Sequence, residues 1–167
     1  VSSETWRKGR DRMEFSGKED IDAPIAEVFH ALCDFENMER QALRRGAEVQ
    51  RMGDAAHPEN GLAWDVAFQF RGKDRKLNVA LTTYEPVTMM AVTGTGSGVD
   101  GNLEVELLAL SPQRTRMVVK LALSPKTLSG RLMVQSLKLA KTRLVRGFER
   151  RVSEFARQTE ARLSGTV

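Results

Sequence analysis

In Leu62-Ala63-Trp64-Asp65-Val66-Ala67-Phe68-Gln69-Phe70, large apolar side chains stand at every second position. That is the period of a β-strand with one buried face. The period returns in Leu77, Val79, Leu81 and Thr83, in Met90 and Val92, in Leu103, Val105 and Leu107, and in Met117, Val119 and Leu121. Turn residues separate the runs: Gly72-Lys73, Glu85-Pro86-Val87, the glycine-rich stretch 94–101 and Ser111-Pro112. Hairpins in series of this kind make an antiparallel meander.

Upstream, Met13, Phe15 and Ile21 predict a first strand within residues 13–21. Asp22-Ala23-Pro24 then predicts a helix start, with Asp22 as a cap and Pro24 in the first turn. Ile25, Val28, Phe29 and Leu32 repeat at i, i+3, i+4, i+7, one apolar helix face ending near Asp34. A second short helix is expected over residues 36–45, closed by Gly46. Downstream of the strands a single helix is expected, opening near Ser124-Pro125 or Ser129-Gly130 and running to about Leu163. Leu132, Leu137, Ala140, Leu144, Phe148, Val152 and Phe155 are placed near its inner face. Some 35 residues at 1.5 Å each would reach roughly 50 Å, enough to cross a sheet about 30 Å wide.

The expected fold is therefore α+β: a curved antiparallel sheet of six to seven strands wrapped around a long C-terminal helix, with two short helices after the first strand. Each strand has one apolar face and few helices exist to cover it, so the sheet must curl around the long helix. A helix covers a strip about 10 Å wide, and the rest of the concavity becomes a cavity. Residues 1–12 read as an N-terminal extension and residues 13–165 as the domain; 167 residues suit one core.

The order of elements, with Ile21-Asp22-Ala23-Pro24-Ile25-Ala26-Glu27-Val28-Phe29 and Leu32-Cys33-Asp34-Phe35-Glu36, resembles the START-like superfamily, also called SRPBCC or Bet v 1-like. Within it the chain looks closest to the polyketide cyclase/dehydrase-like bacterial branch. The resemblance implies the helix-grip fold and a pocket for a small hydrophobic ligand, or a cyclase, aromatase or dehydratase-like reaction there.

Composition narrows the alternatives. The chain is 41% hydrophobic and 29% charged, the balance of a folded globular domain. No apolar run approaches the roughly 20 residues that span a bilayer, and Arg7, Lys8, Arg10 and Arg12 leave no room for a signal peptide's apolar core, so a cytoplasmic location is expected. Cys33 is the only cysteine and His30 and His57 the only histidines, which argues against a disulfide and against a His/Cys metal cage. No cofactor is expected.

Inward phase and large or adaptable side chains select Trp64, Phe68, Met90, Met117 and Phe148 as ligand-binding residues. Tyr84, at a strand end, is added to orient a polar group, and Gly147, inside the long helix, for a bend or space beside the ligand. No catalytic constellation converges. Asp65, Glu104 and Glu106 fall out of phase with the apolar set, His30 lies one step off its helix's apolar face, and the glycines of stretch 94–98 sit between strands, where a phosphate loop needs a helix. A flexible hairpin at the cavity rim is the reading of that stretch.

Charge is uneven. Residues 126–162 hold ten Lys or Arg against three Glu in a chain of net charge +4. Lys138, Lys141, Arg143, Arg146, Arg150 and Arg151 open a further class, an interaction protein whose basic helix meets an anionic surface or an acidic partner. Stacking aromatics are missing from its polar side, which argues against nucleic acid. The leading expectation is a binding or carrier protein for a lipid, quinone or polyketide-like molecule.

Overall fold

The computed structural model describes residues 11–165, so most of the expected N-terminal extension lies outside the described residues. Strand β1 (Met13–Ile21) is followed by α1 (Ile25–Leu32), α2 (Phe35–Arg44) and β2 (Glu48–Met52). A 3-10 turn (Pro58–Asn60) leads to β3 (Ala63–Phe70), β4 (Lys73–Glu85), β5 (Met89–Thr95), β6 (Val99–Ser111) and β7 (Arg114–Pro125). Two helices close the chain, α3 (Leu128–Leu139) and α4 (Lys141–Leu163).

The seven strands form one sheet in the order β1-β7-β6-β5-β4-β3-β2. Every neighbouring pair is antiparallel. The meander runs from β2 to β7, and β1 closes on β7 at the far edge. β2 is not visible as a strand in the sequence, because only Val49 of its five residues is a β-branched apolar residue and it forms the sheet's other edge.

The helix starts differ in chemistry. Pro24, not Asp22, stands at the N-cap of α1, and no side chain caps it. The Asp22 backbone N–H instead donates to Glu160 of α4 at 3.4 Å. At α2 the cap is Asp34, whose carboxylate accepts from the Asn37 N–H at 3.2 Å.

The single C-terminal helix expected from sequence is broken at Ala140, which ends α3 and begins α4. Its φ of −106° and ψ of 22° leave the helical region, and its N–H turns back to Leu137 at 3.0 Å. The break lets the two parts pack on different strands: α3 on β6 and β7, α4 on β1 and α1. A 23-residue α4 still spans about 35 Å, the breadth of the sheet. Phase is lost across the break. Leu132, expected inside, is 61% exposed, while Gly130, Val134 and Leu137 face the core. Leu132 and Leu137, five residues apart, stand about 140° apart on a helix, so one face cannot bury both.

Two close approaches bind these helices. An added Cβ on Gly17 of β1 would lie 3.2 Å from Val152 of α4, so glycine lets the helix settle on the strand. The β5–β6 hairpin holds α3 through Gly98, whose carbonyl accepts from the Lys126 N–H at 2.7 Å, while an added Cβ on Gly98 would meet Thr127. The hairpin expected to be a flexible rim is thus pinned to a helix start.

The main core gathers Ile21, Val28, Leu62, Val105 and Met117 beneath α1 and α4. A smaller one joins Met13, Phe15 and Val134 under α3, and Phe148 packs against both.

Candidate functional site

Helix α4 crosses the concave face without filling it. A cavity of about 410 Å³ remains between the sheet, α2 and α4. Its floor is Met90, Val105, Met117 and Val119, all nearly fully buried. Val49, Trp64, Val66 and Val79 rise on the β2–β4 side, and Phe148, Val152 and Phe155 of α4 form the opposite wall. Phe35, Met38, Glu39 and Ala42 of α2 close one side, and exposed Met38 and Arg151 mark where the cavity meets solvent. Among the described residues, Glu39 and Arg151 are the only wall residues that are not apolar.

Of the residues selected from sequence, Trp64, Met90, Met117 and Phe148 come together on this wall, whereas Phe68, Tyr84 and Gly147 are not part of it. Phe68 shares the concave face but lies two pairs nearer the β3–β4 hairpin, opposite Arg75. Tyr84 packs its ring on Phe29 of α1, centroids 5.7 Å apart. Burial, and then the neighbouring Cys33 and Glu59, push its phenol above the ordinary value. A β-bulge between Leu81 and Thr83 brings Tyr84 opposite Met90. Gly147 lies inside an unbroken helix, and an added Cβ would meet nothing nearer than an Arg150 nitrogen at 4.0 Å, so no bend or close approach resides there.

The carboxylates and histidines weighed from the sequence, Asp65, Glu104, Glu106, His30 and His57, are not part of the wall. His30 is exposed, His57 pairs with Glu59 at 3.2 Å in an exposed loop, and Asp65 accepts from the Asn78 amide on the outer face. No cluster of three or more His, Cys, Asp or Glu that would hold a metal occurs among the described residues. None of their helices is long and apolar enough to cross a membrane. Cys33 is half-buried, and burial pushes its thiol up to about 11.

One polar cluster touches the cavity. The Trp64 indole N–H donates to Glu39 Oε1 at 3.1 Å, and Arg51 Nε reaches the same oxygen at 3.4 Å. Arg51 faces Trp64 across the β2–β3 ladder, and its Nη1 is buried without a hydrogen-bond partner among the described residues. Phe35 packs against Trp64 with the rings tilted by 48° and their centroids 5.4 Å apart. This cluster fastens α2 to the sheet beside the cavity. Sequence reasoning missed it, although Phe35, Met38, Glu39 and Ala42 repeat at i, i+3, i+4, i+7 and so mark one helix face.

A curved antiparallel sheet gripping a C-terminal helix, with an apolar cavity between them, is a helix-grip fold. Solved structures agree. The chain is similar to the ZhuI aromatase/cyclase from Streptomyces sp. R1128, with a TM-score of 0.65, 13% identity and coverage of 93% of this chain and 99% of that one. It is similar to a protein from Thermus thermophilus, with a TM-score of 0.63, 14% identity and coverage of 89% of this chain and 98% of that one. The di-domain aromatase/cyclase StfQ of the steffimycin biosynthetic pathway gives a TM-score of 0.69 at 8% identity, covering 98% of this chain and 55% of that one. No family model matches the sequence, and no curated protein matches it.

Proposed function

We propose that the chain is a binding or carrier protein for a small hydrophobic molecule held in this cavity. The observation that carries the reading is the wall itself, apolar at every residue but Glu39 and Arg151. The Arg151 guanidinium carries only donors, and Glu39 already accepts from the Trp64 indole and is ion-paired with Arg51. Such a wall favours burial of an apolar body over proton transfer. At about 410 Å³ the cavity falls within the roughly 300–1,000 Å³ usual for small-molecule sites. A medium-chain lipid, a quinone head or a polyketide-like ring fits that size; a two-chain phospholipid does not. Trp64, Met90, Met117 and Phe148 are the proposed contacts.

Titration with N-phenyl-1-naphthylamine, an uncharged apolar fluorophore, tests the reading. In a Trp6→Phe background, saturable binding of about one dye per chain with quenching of Trp64 is the expected result. Failure to saturate, or dye uptake without any change at Trp64, overturns it.

A cyclase or aromatase-like reaction is the second reading, supported by the names of two structural neighbours and by the single carboxylate on the wall. It requires turnover of a polyketide-like substrate that falls at least tenfold in Glu39→Gln. Turnover indifferent to that change would remove Glu39 from any proton transfer.

A further inference from the structure

Helix α3 carries an apolar stripe on its outer side. Leu128, Leu132 and Leu139 are 73%, 61% and 92% exposed. At 100° per residue they fall within an arc of about 40°. Three leucines aligned in water are not the scattered exposure usual on a protein surface. The core-facing side of the same helix, through Val134 and Leu137, is already satisfied, and the stripe joins no core among the described residues.

The neighbourhood is basic. Arg71 at the β3–β4 turn donates to Ser136 of α3 at 2.7 Å, which fixes the hairpin against the helix. Arg71, Lys73 and Arg75 share one groove with Leu132 and Met133. Strand alternation sets Lys73 and Arg75 on one face and Asp74 on the other, where its carboxylate accepts from the Gln69 amide. Arg71, Lys73 and Arg75 make no ion pair among the described residues. Phe70, 37% exposed, lies under the guanidinium groups of Arg71 and Arg75 at 5.4 and 5.7 Å. Two acidic groups near α3 are already paired: Asp11 with Arg131 at 3.6 Å and Asp100 with Lys126 at 3.9 Å.

From these observations we infer that α3 and the β3–β4 hairpin form a docking face for an anionic lipid bilayer, the leucines entering the interface while the hairpin cations meet the headgroups. Leucines in a row bordered by cations are the signature of an interfacial helix. A second copy of the chain fits the face less well, because a two-fold contact would bring two sets of the cations Arg71, Lys73 and Arg75 into one interface, whereas an anionic surface neutralises them. The face is independent of the cavity, so the inference does not rest on what the cavity holds.

Flotation of the full chain with vesicles tests it. Binding is expected to vesicles of 70% phosphatidylcholine and 30% phosphatidylglycerol at low salt, and to weaken at least tenfold in pure phosphatidylcholine or at about 0.5 M salt, where charge attraction reaches only a few ångströms. Leu128→Ser/Leu132→Ser/Leu139→Ser and, separately, Lys73→Glu/Arg75→Glu should each reduce binding at least tenfold while leaving the melting temperature within a few degrees. No binding to anionic vesicles, or binding that survives the leucine substitutions, overturns the inference. So does a dimer that the leucine substitutions convert to a monomer, which would assign the face to a second copy.

Discussion

Glu39 shows how much one side chain holds at the cavity. Its Oε1 accepts from Trp64 and faces Arg51, joining α2 to β3 and β2. In Glu39→Ala the Trp64 indole N–H loses its acceptor and Arg51 its ion-pair partner, and a buried polar group left unpaired costs about 1–3 kcal/mol. The expected outcome is an unfolding free energy lower by that amount, read as a lower urea midpoint at unchanged slope, with red-shifted Trp64 emission as α2 loosens; an unchanged midpoint would show the cluster to be incidental. Glu39 was hidden in the sequence because its signal is helical spacing with Phe35 and Ala42, a pattern that marks a face without saying what faces it. Trp64, Met90 and Met117 were legible because alternation assigns a side of the sheet directly. Phe68 has the same phase, but phase does not say how far along the strand the cavity extends, and the hairpin end belongs to Arg75 and Phe70.

Among elements, the strands from β3 to β7 were legible because each is apolar on one face, whereas β2 and the break at Ala140 were not. No glycine or proline marks Ala140, and an amphipathic pattern read in one piece conceals a change of phase. Where elements meet, charge does the joining: Arg162 near the end of α4 donates to Asp34 at 2.6 Å, at the join of α1 and α2. That hydrogen bond, opposed by partial burial and aided by the Asn37 N–H, holds the Asp34 carboxyl below its ordinary value. A carboxyl depressed in the folded state stabilises fully above its unfolded value, about 3.9, and loses that stabilisation as pH falls through the folded value. Stability should therefore decline below about pH 4, and Asp34→Asn should lower stability at pH 7 while flattening the decline between about pH 4 and pH 2. Asp20, likewise depressed first by its hydrogen bond from Arg116, keeps part of the slope in that variant. Urea denaturation at stepped pH measures both, and an equal slope in the variant and the parent would separate Asp34 from the acid response.

For the whole molecule the question is whether the concavity is a packing shortfall or a site. A sheet of seven strands gripping one helix leaves more inner surface than the helix covers, and the sequence already implied as much from its single-faced strands. It did not give the volume, which depends on how closely α4 settles, and that is set at Gly17 against Val152. An empty apolar cavity costs stability, because its lining loses dispersion contacts and gains nothing from water. Val105→Phe, from the buried floor, adds a ring to that space. If the cavity serves binding, the substitution should hold or raise the melting temperature and abolish dye binding, the trade expected where a site is kept open at the expense of packing. A melting temperature that falls by several degrees, with dye binding intact, would mean that the floor was already packed and that the ligand space lies elsewhere.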